Sequence, residues 1–126
     1  MLLSLDFSGK LPIYLQIRNQ IVLGIASGEL APGEKLPTIR ALAEQSGVNM
    51  MTVSKADSLL KQEGYFTTDR RGGTVVNGSR GAGALPERYM GALRVIAAEA
   101  RLAGMGEDEF AALCRGAYRE GGGENG

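Results

Sequence analysis

The side chains that could bind a large anion lie in two stretches of the sequence, residues 38–55 and residues 70–73. The first stretch places basic side chains beside small polar ones and a methionine pair, a set that can contact both phosphates and the edges of DNA bases. The second places two arginines beside two glycines. From both we predict a DNA contact surface made of Thr38, Arg40, Asn49, Met50, Met51, Thr52, Ser54, Lys55, Arg70, Arg71, Gly72 and Gly73.

The residues of the common catalytic and metal sites are missing from this sequence. The chain has no histidine, which excludes the Ser-His-Asp and Cys-His arrangements and the usual imidazole proton shuttle. Its one cysteine, Cys114, can form neither an internal disulfide nor a multi-cysteine metal cluster. We therefore expect a protein that is not an enzyme and that needs no metal and no cofactor.

Positive charge is concentrated in the first part of the chain. The formal net charge of all 126 residues is zero. Residues 1–80 nevertheless carry nine Lys and Arg against seven Asp and Glu, whereas residues 81–126 carry five against seven. Because phosphate neutralisation provides most of the non-specific affinity for DNA, a surface for double-stranded DNA belongs in the first segment.

The elements that position these residues begin with three helices, which apolar residues recurring every three or four positions predict over residues 12–27, 38–47 and 49–62. Ala43, Gly47 and Val53 have the sizes that a helix-turn-helix needs. A small residue allows the helices to cross closely, glycine takes the unusual backbone angle of the turn, and an apolar residue locks the crossing.

A β-hairpin with a basic tip is predicted after the third helix. Two segments rich in β-branched and aromatic residues, 65–68 and 74–77, flank the sequence Asp69-Arg70-Arg71-Gly72-Gly73. Helices and hairpin together predict a winged helix-turn-helix DNA-binding domain over residues 1–77. The fold class is thus mainly α with a small β-hairpin.

The rest of the chain is predicted to be a linker over residues 78–84, a short helical hairpin over residues 85–120 and a disordered tail over residues 121–126. Two short helices cannot bury their own apolar stripe, so they must pack on the first domain or on a second copy of themselves. A symmetric homodimer covers both stripes. The dimerisation residues that it predicts are Leu85, Tyr89, Leu93, Ile96, Ala100, Phe110, Leu113 and Ala117.

Features of membrane insertion and export are missing as well. No apolar run approaches the length of a membrane span, and residues 1–6 lack the pattern of a signal peptide. We expect a cytoplasmic protein with no membrane partner.

The first part of the sequence resembles the GntR family of bacterial regulators. Residues 11–17 are similar to the family's opening helix, and its most recognisable block is similar to Ser27-Gly28-Glu29-Leu30-Ala31-Pro32-Gly33-Glu34-Lys35-Leu36-Pro37. The short C-terminal hairpin resembles the YtrA subfamily, in which such a hairpin serves dimerisation. The resemblance implies that Arg40 contacts DNA from the second helix, that residues 49–55 enter the major groove, and that the hairpin tip contacts the minor groove or backbone nearby.

The sequence departs from the family pattern in the third helix and at the hairpin tip. Met50 and Met51 replace residues that are more often Arg or Pro and a polar residue, and Asp57 replaces one that is commonly aromatic. At the tip, Arg71 replaces a family glycine and Gly72 fills the position after it.

Two interpretations are open for the methionine pair. The side chains could read thymine methyl groups by apolar contact, which favours half-sites that contain A·T pairs. Alternatively, one of them could pack inward, because methionine fills irregular gaps readily.

The function that these patterns predict is that of a transcriptional repressor, binding as a homodimer to an inverted-repeat operator with half-sites about one helical turn apart. The alternative is a winged-helix module that binds protein instead of DNA, which the methionine pair and the near-neutral charge leave open. The sequence does not indicate which small-molecule effector, if any, controls binding.

Overall fold

The computed structural model describes residues 3–78 and 85–121. Its elements are α1 (Ile13–Ser27), α2 (Ile39–Ser46), α3 (Met50–Gln62), β1 (Phe66–Thr68), β2 (Thr74–Val76), α4 (Glu87–Leu102) and α5 (Glu107–Gly121). They belong to two compact units, Met1–Arg80 and Gly81–Gly126. The predicted fold class, mainly α with one small hairpin, is confirmed.

The first unit has a core that its three helices and the hairpin share. Ile17 and Ile21 of α1 are 0% and 2% exposed and belong to the same buried cluster as Val53 and Leu60 of α3. The spacing of four in α1 and of seven in α3 puts each pair on one helix face. Leu59, which periodicity predicts to be buried, is half-buried. The buried face of α3 is centred on Val53 and Leu60, and Leu59 lies about 100° away from Leu60 around the helix.

Side-chain caps and a glycine define the helix-turn-helix. The Thr38 hydroxyl and the Asn49 amide oxygen each accept a hydrogen bond of 3.0 Å from the backbone N–H three residues further on, at the starts of α2 and α3. Gly47 ends α2 in the left-handed conformation with a φ of 73°. Ala43 and Val53 are buried beside this turn, so the three helix-turn-helix positions have the roles predicted for them.

The hairpin, called the wing from here on, covers residues 66–76 and has a third backbone neighbour. Phe66 pairs with Val76 in the antiparallel register of β1 and β2. On its other edge β2 pairs with the segment ahead of α2, where the Leu36 N–H donates to the Thr74 carbonyl and the Val76 N–H donates to the Glu34 carbonyl, both at 2.9 Å. These hydrogen bonds join the wing to the segment that leads into α2.

Two glutamines of α1 hold the segment that precedes it. The Gln16 side chain accepts from the Asp6 N–H at 2.8 Å and donates to the Asp6 carbonyl at 2.9 Å, and Gln20 makes the same pair of contacts with Ser4. A hydrogen bond from the Ser8 hydroxyl keeps the pKa of the Asp6 carboxyl below its ordinary value. The two side-chain amides thus make the pair of hydrogen bonds that the backbone of a neighbouring strand would make, and they hold this segment against α1.

The second unit contains α4 and α5, with a turn at Gly104, whose φ is 91°. No residue in the range 85–120 is buried. Helix α5 includes Gly121, one residue past the predicted end of the helical hairpin, and residues 79–84 of the predicted linker and 122–126 of the predicted tail lie outside the described residues. Across the described ranges, no helix combines the length and the apolar character of a membrane span.

Candidate nucleic-acid interface

Some basic side chains of the first unit form ion pairs with carboxylates, and others do not. Arg18 Nε lies 2.8 Å from the Glu63 carboxylate, and Lys61 Nζ lies 3.0 Å from that of Asp57. Six others form no ion pair within the described part of the chain, namely Lys10, Lys35, Arg40, Lys55, Arg70 and Arg71. All six are exposed. An exposed cation without a carboxylate beside it keeps its charge for an external anion.

Most of these unpaired cations lie on the elements that the sequence singled out. Arg40 is the second residue of α2, and Lys55 lies in the second turn of α3. Arg70 and Arg71 form the tip of the wing. Five of the six unpaired cations therefore lie on the helix-turn-helix, on the wing or on the segment paired with it.

The wing tip is organised by Asp69. Its carboxylate accepts hydrogen bonds of 2.9 Å from the Arg71 and Gly73 N–H groups. Gly72 takes the left-handed position of the turn with a φ of 85°, and no described residue other than glycine has a positive φ. The shift of glycine to position 72 is therefore accommodated without backbone strain at Arg71, which remains exposed beside Arg70.

Lys35 joins the wing, although the sequence pattern did not indicate it as a site residue. Its backbone lies opposite Val75 of β2. Its side chain crosses Gly73, where an added Cβ would lie 2.8 Å from the Lys35 Cε. Lys35 lies in the block that resembles the GntR family, but only the strand pairing brings its ammonium group beside the wing tip.

At the start of α3, the two methionines are exposed apolar side chains. Met51 is 81% exposed and Met50 is 47% exposed, so neither packs inward. Thr52 and Ser54 are half-buried. Asn49 is exposed, but its amide oxygen caps the helix by accepting from the Thr52 N–H.

Lys55 is placed by an aromatic ring of α1. Its Nζ lies 4.1 Å from the centroid of the Tyr14 ring, a cation–π contact that holds the ammonium group without neutralising it. The opening helix therefore orients a cation of α3.

The predicted dimerisation residues are all in the second unit. Leu85 precedes α4, and the others lie on α4 and α5. Tyr89, Ala100 and Phe110 are half-buried, and the exposed members of the set are Leu85, Leu93, Ile96, Leu113 and Ala117. Within the described ranges no group of three or more metal-ligating side chains is arranged to hold an ion.

Comparison with known proteins identifies relatives of the first unit. A family model described as bacterial regulatory proteins, gntR family, matches residues 13–76. The HTH-type transcriptional repressor YtrA of Bacillus subtilis (strain 168) is 38% identical over 76 residues, which are 60% of this chain and 58% of that protein. The chain spans about three fifths of the length of curated relatives such as this one.

Solved structures extend the likeness. A protein described as a transcriptional antiterminator from Listeria monocytogenes EGD-e has a TM-score of 0.86 and 26% identity, over 100% of this chain and 96% of that one. YtrA from Sulfolobus acidocaldarius, a GntR-family transcription factor, has a TM-score of 0.56 and 40% identity, over 90% and 94%. The AraR DNA-binding domain in complex with operator ORX1 has a TM-score of 0.52 and 34% identity, over 59% of this chain and 95% of that one.

Proposed function

The chain belongs to the GntR family of bacterial regulatory proteins and is YtrA-like, and from this premise we propose that it represses transcription as a homodimer on an inverted-repeat operator. In this proposal α3 enters the major groove, and Arg40 and the wing hold the phosphate backbone on either side. No catalytic step is required. A regulator of this kind works where its DNA is, and we place it in the cytoplasm.

The observation that carries the proposal is the set of cations that form no ion pair and lie on or beside the helix-turn-helix and the wing. The chain is neutral as a whole. Five cations of the helix-turn-helix, the wing and the segment paired with it nevertheless have no acidic partner within the described residues, namely Lys35, Arg40, Lys55, Arg70 and Arg71. If four or five of them neutralise a phosphate in each subunit, the logarithm of the binding constant should fall with that of the salt concentration with a slope of roughly −7 to −9 for a dimer.

Dimerisation is supported by the exposed apolar side chains of the second unit. Leu113 is 57% exposed, Ile96 is 54% exposed and Leu93 is 41% exposed. Helices with such stripes gain stability when a symmetric partner removes them from water. A two-fold pair of recognition helices then matches an inverted repeat. Repression itself is supported by relatives named as repressors, YtrA among them.

The experiment that tests the function is selection of bound sequences from a pool of random duplexes, followed by affinity measurements on the winner and on a scrambled duplex across a salt series. The proposal requires an enriched palindrome, tighter binding to it than to the scrambled duplex, and a steep salt dependence for both. A module that binds protein instead would enrich no sequence and show a flat salt response.

A further inference from the structure

The start of α3 presents an apolar surface at the point where it would meet DNA bases, and we propose that Met50 and Met51 read the C5-methyl groups of thymine. This inference rests on the proposed function, since it needs α3 in the major groove, where the thymine methyl group is exposed. It identifies the specificity determinant of that interface and predicts which chemical change in the DNA the protein senses.

The exposure of the pair is the first support. Met51 is 81% exposed and Met50 is 47% exposed, as the first two residues of α3. The N-terminal residues of a recognition helix are the ones that contact base edges. A methionine side chain is flexible and polarisable, so it can fit closely around a methyl group and bury it.

The second support is the shortage of polar readers beside the pair. Purines are usually read by bidentate contacts from Arg or Lys to guanine and from Asn or Gln to adenine. Residues 49–56 contain no Arg and no Gln. The Asn49 amide oxygen accepts from the Thr52 N–H at 3.0 Å, and the Lys55 ammonium group lies on the Tyr14 ring.

The hydroxyl groups at the start of α3 do not provide the purine contacts that Arg, Lys, Asn or Gln would make. Thr52 and Ser54 are half-buried, and a hydroxyl can donate to or accept from several bases, so it discriminates little. Apolar contact is therefore the main sequence-dependent interaction that this end of α3 can make. In the major groove of unmodified DNA, the apolar group that differs between base pairs is the C5-methyl of thymine.

A chemical consequence distinguishes methyl reading from ordinary A·T preference. Uracil pairs with adenine as thymine does and lacks only the methyl group. Likewise, 5-methylcytosine carries the same methyl group on a G·C pair. Affinity should thus fall when thymine at a contacted position is replaced by uracil, and it should rise when cytosine at that position is methylated.

The test uses the full chain and the operator enriched from random duplexes, with each thymine of a half-site replaced in turn by deoxyuridine. We expect a loss of about fourfold in affinity for each contacted methyl group, at one or two positions per half-site, and no change elsewhere. Met51→Asn or Met50→Asn should bring the thymine-to-uracil affinity ratio close to one at the position that the replaced methionine contacts. Met51→Leu is the matched control, because it keeps an apolar side chain and should keep a ratio well above one.

Each outcome is decisive. Equal affinity for thymine and uracil at every position overturns the inference and leaves the proposed function intact. The inference is also overturned if both asparagine variants, shown by circular dichroism to be folded, keep the wild-type ratio. A pool that enriches no sequence contradicts the proposed function itself, and methyl reading with it.

Discussion

Lys35 and Lys61 are both exposed lysines of the first unit, yet only Lys61 has a carboxylate partner, that of Asp57 at 3.0 Å. The pair between Lys61 and Asp57 spans one turn of α3, with side chains 39% and 14% exposed, and ion pairs at this helical spacing add little stability. It does reduce the charge that Lys61 can offer to a phosphate. Lys35, by contrast, lies across Gly73 in the wing. Replacing each of the two lysines in turn therefore tests whether unpaired cations contact DNA more than paired ones do.

Replacing Lys35 with alanine should weaken binding to the operator and to unrelated duplex alike, because a phosphate contact carries no base information. The log–log salt slope should become shallower by about 1 for each subunit. Fluorescence anisotropy across a salt series measures both quantities. Lys61→Ala should leave the slope unchanged. A Lys35→Ala slope equal to that of wild type would remove Lys35 from the interface.

At the scale of elements, α1 is joined to the end of α3 by a bidentate ion pair. Arg18 Nε lies 2.8 Å from Glu63 Oε1, and its Nη2 lies 3.3 Å from Oε2. The two side chains are 14% and 16% exposed, and the guanidinium group also lies 5.6 Å from the centroid of the Tyr65 ring. A charge so little exposed needs its partner, because water cannot replace the contact fully.

We expect Arg18→Ala to lower the free energy of unfolding by about 1.5–3 kcal/mol, the range for hydrogen bonds to charged groups. Urea denaturation of the full chain measures the change. The control is Arg94→Ala, which removes an ion pair of 3.3 Å between side chains 67% and 82% exposed, and it should cost about 1 kcal/mol or less. Equal costs for the two variants would show that burial does not strengthen the Arg18 pair.

The turn of the wing offers a second test at this scale. Gly72→Ala forces a Cβ into the left-handed conformation, with φ at 85°, at a cost of about 1–2 kcal/mol. Because the strain falls on the tip that carries Arg70 and Arg71, we expect weaker DNA binding with the helix content unchanged. Gly72→Asn is the control, since asparagine tolerates this conformation and should bind more tightly than the alanine variant. The reverse order would contradict a role for the turn geometry.

At the scale of the whole molecule, the proposed dimer depends on apolar side chains that are exposed within the described part of the chain. Leu113 of α5 and Leu23 of α1 are each 57% exposed, so their exposure alone does not distinguish them. They differ in their surroundings. Leu113 lies in a unit in which no residue of the range 85–120 is buried, whereas the helix of Leu23 contributes Ile17 and Ile21 to a core.

Leu113→Glu should therefore shift the full chain from dimer to monomer at micromolar concentration, because burying an unpaired carboxylate in an apolar interface is costly. Leu23→Glu should leave the dimer intact. Sedimentation equilibrium measures the association of both variants. A dimeric Leu113→Glu protein, or a monomeric Leu23→Glu protein, would move the interface away from the predicted surface of the second unit.

Much of the fold follows from local sequence. The ends of α2 are predicted by Thr38 and Gly47, and the start of α3 by Asn49, because helix caps involve residues only a few positions apart. The wing turn is similarly local, since Asp69 and the glycines after it lie within five residues. A single sequence contains all the information that such short-range contacts need.

Which side chains are exposed and unpaired at the candidate interface was decided only by tertiary structure. Arg18 and Glu63 are 45 positions apart, and Lys35 reaches Val75 over a comparable separation, so no local pattern could predict either contact. The exposure of Met50 and Met51 likewise depended on how α3 rotates against α1, which leaves Leu59 half-buried and both methionines open. By itself the sequence determined that a basic winged helix-turn-helix forms. Packing then decided which cations remain unpaired, because ion pairs and burial depend on which residues the fold brings together.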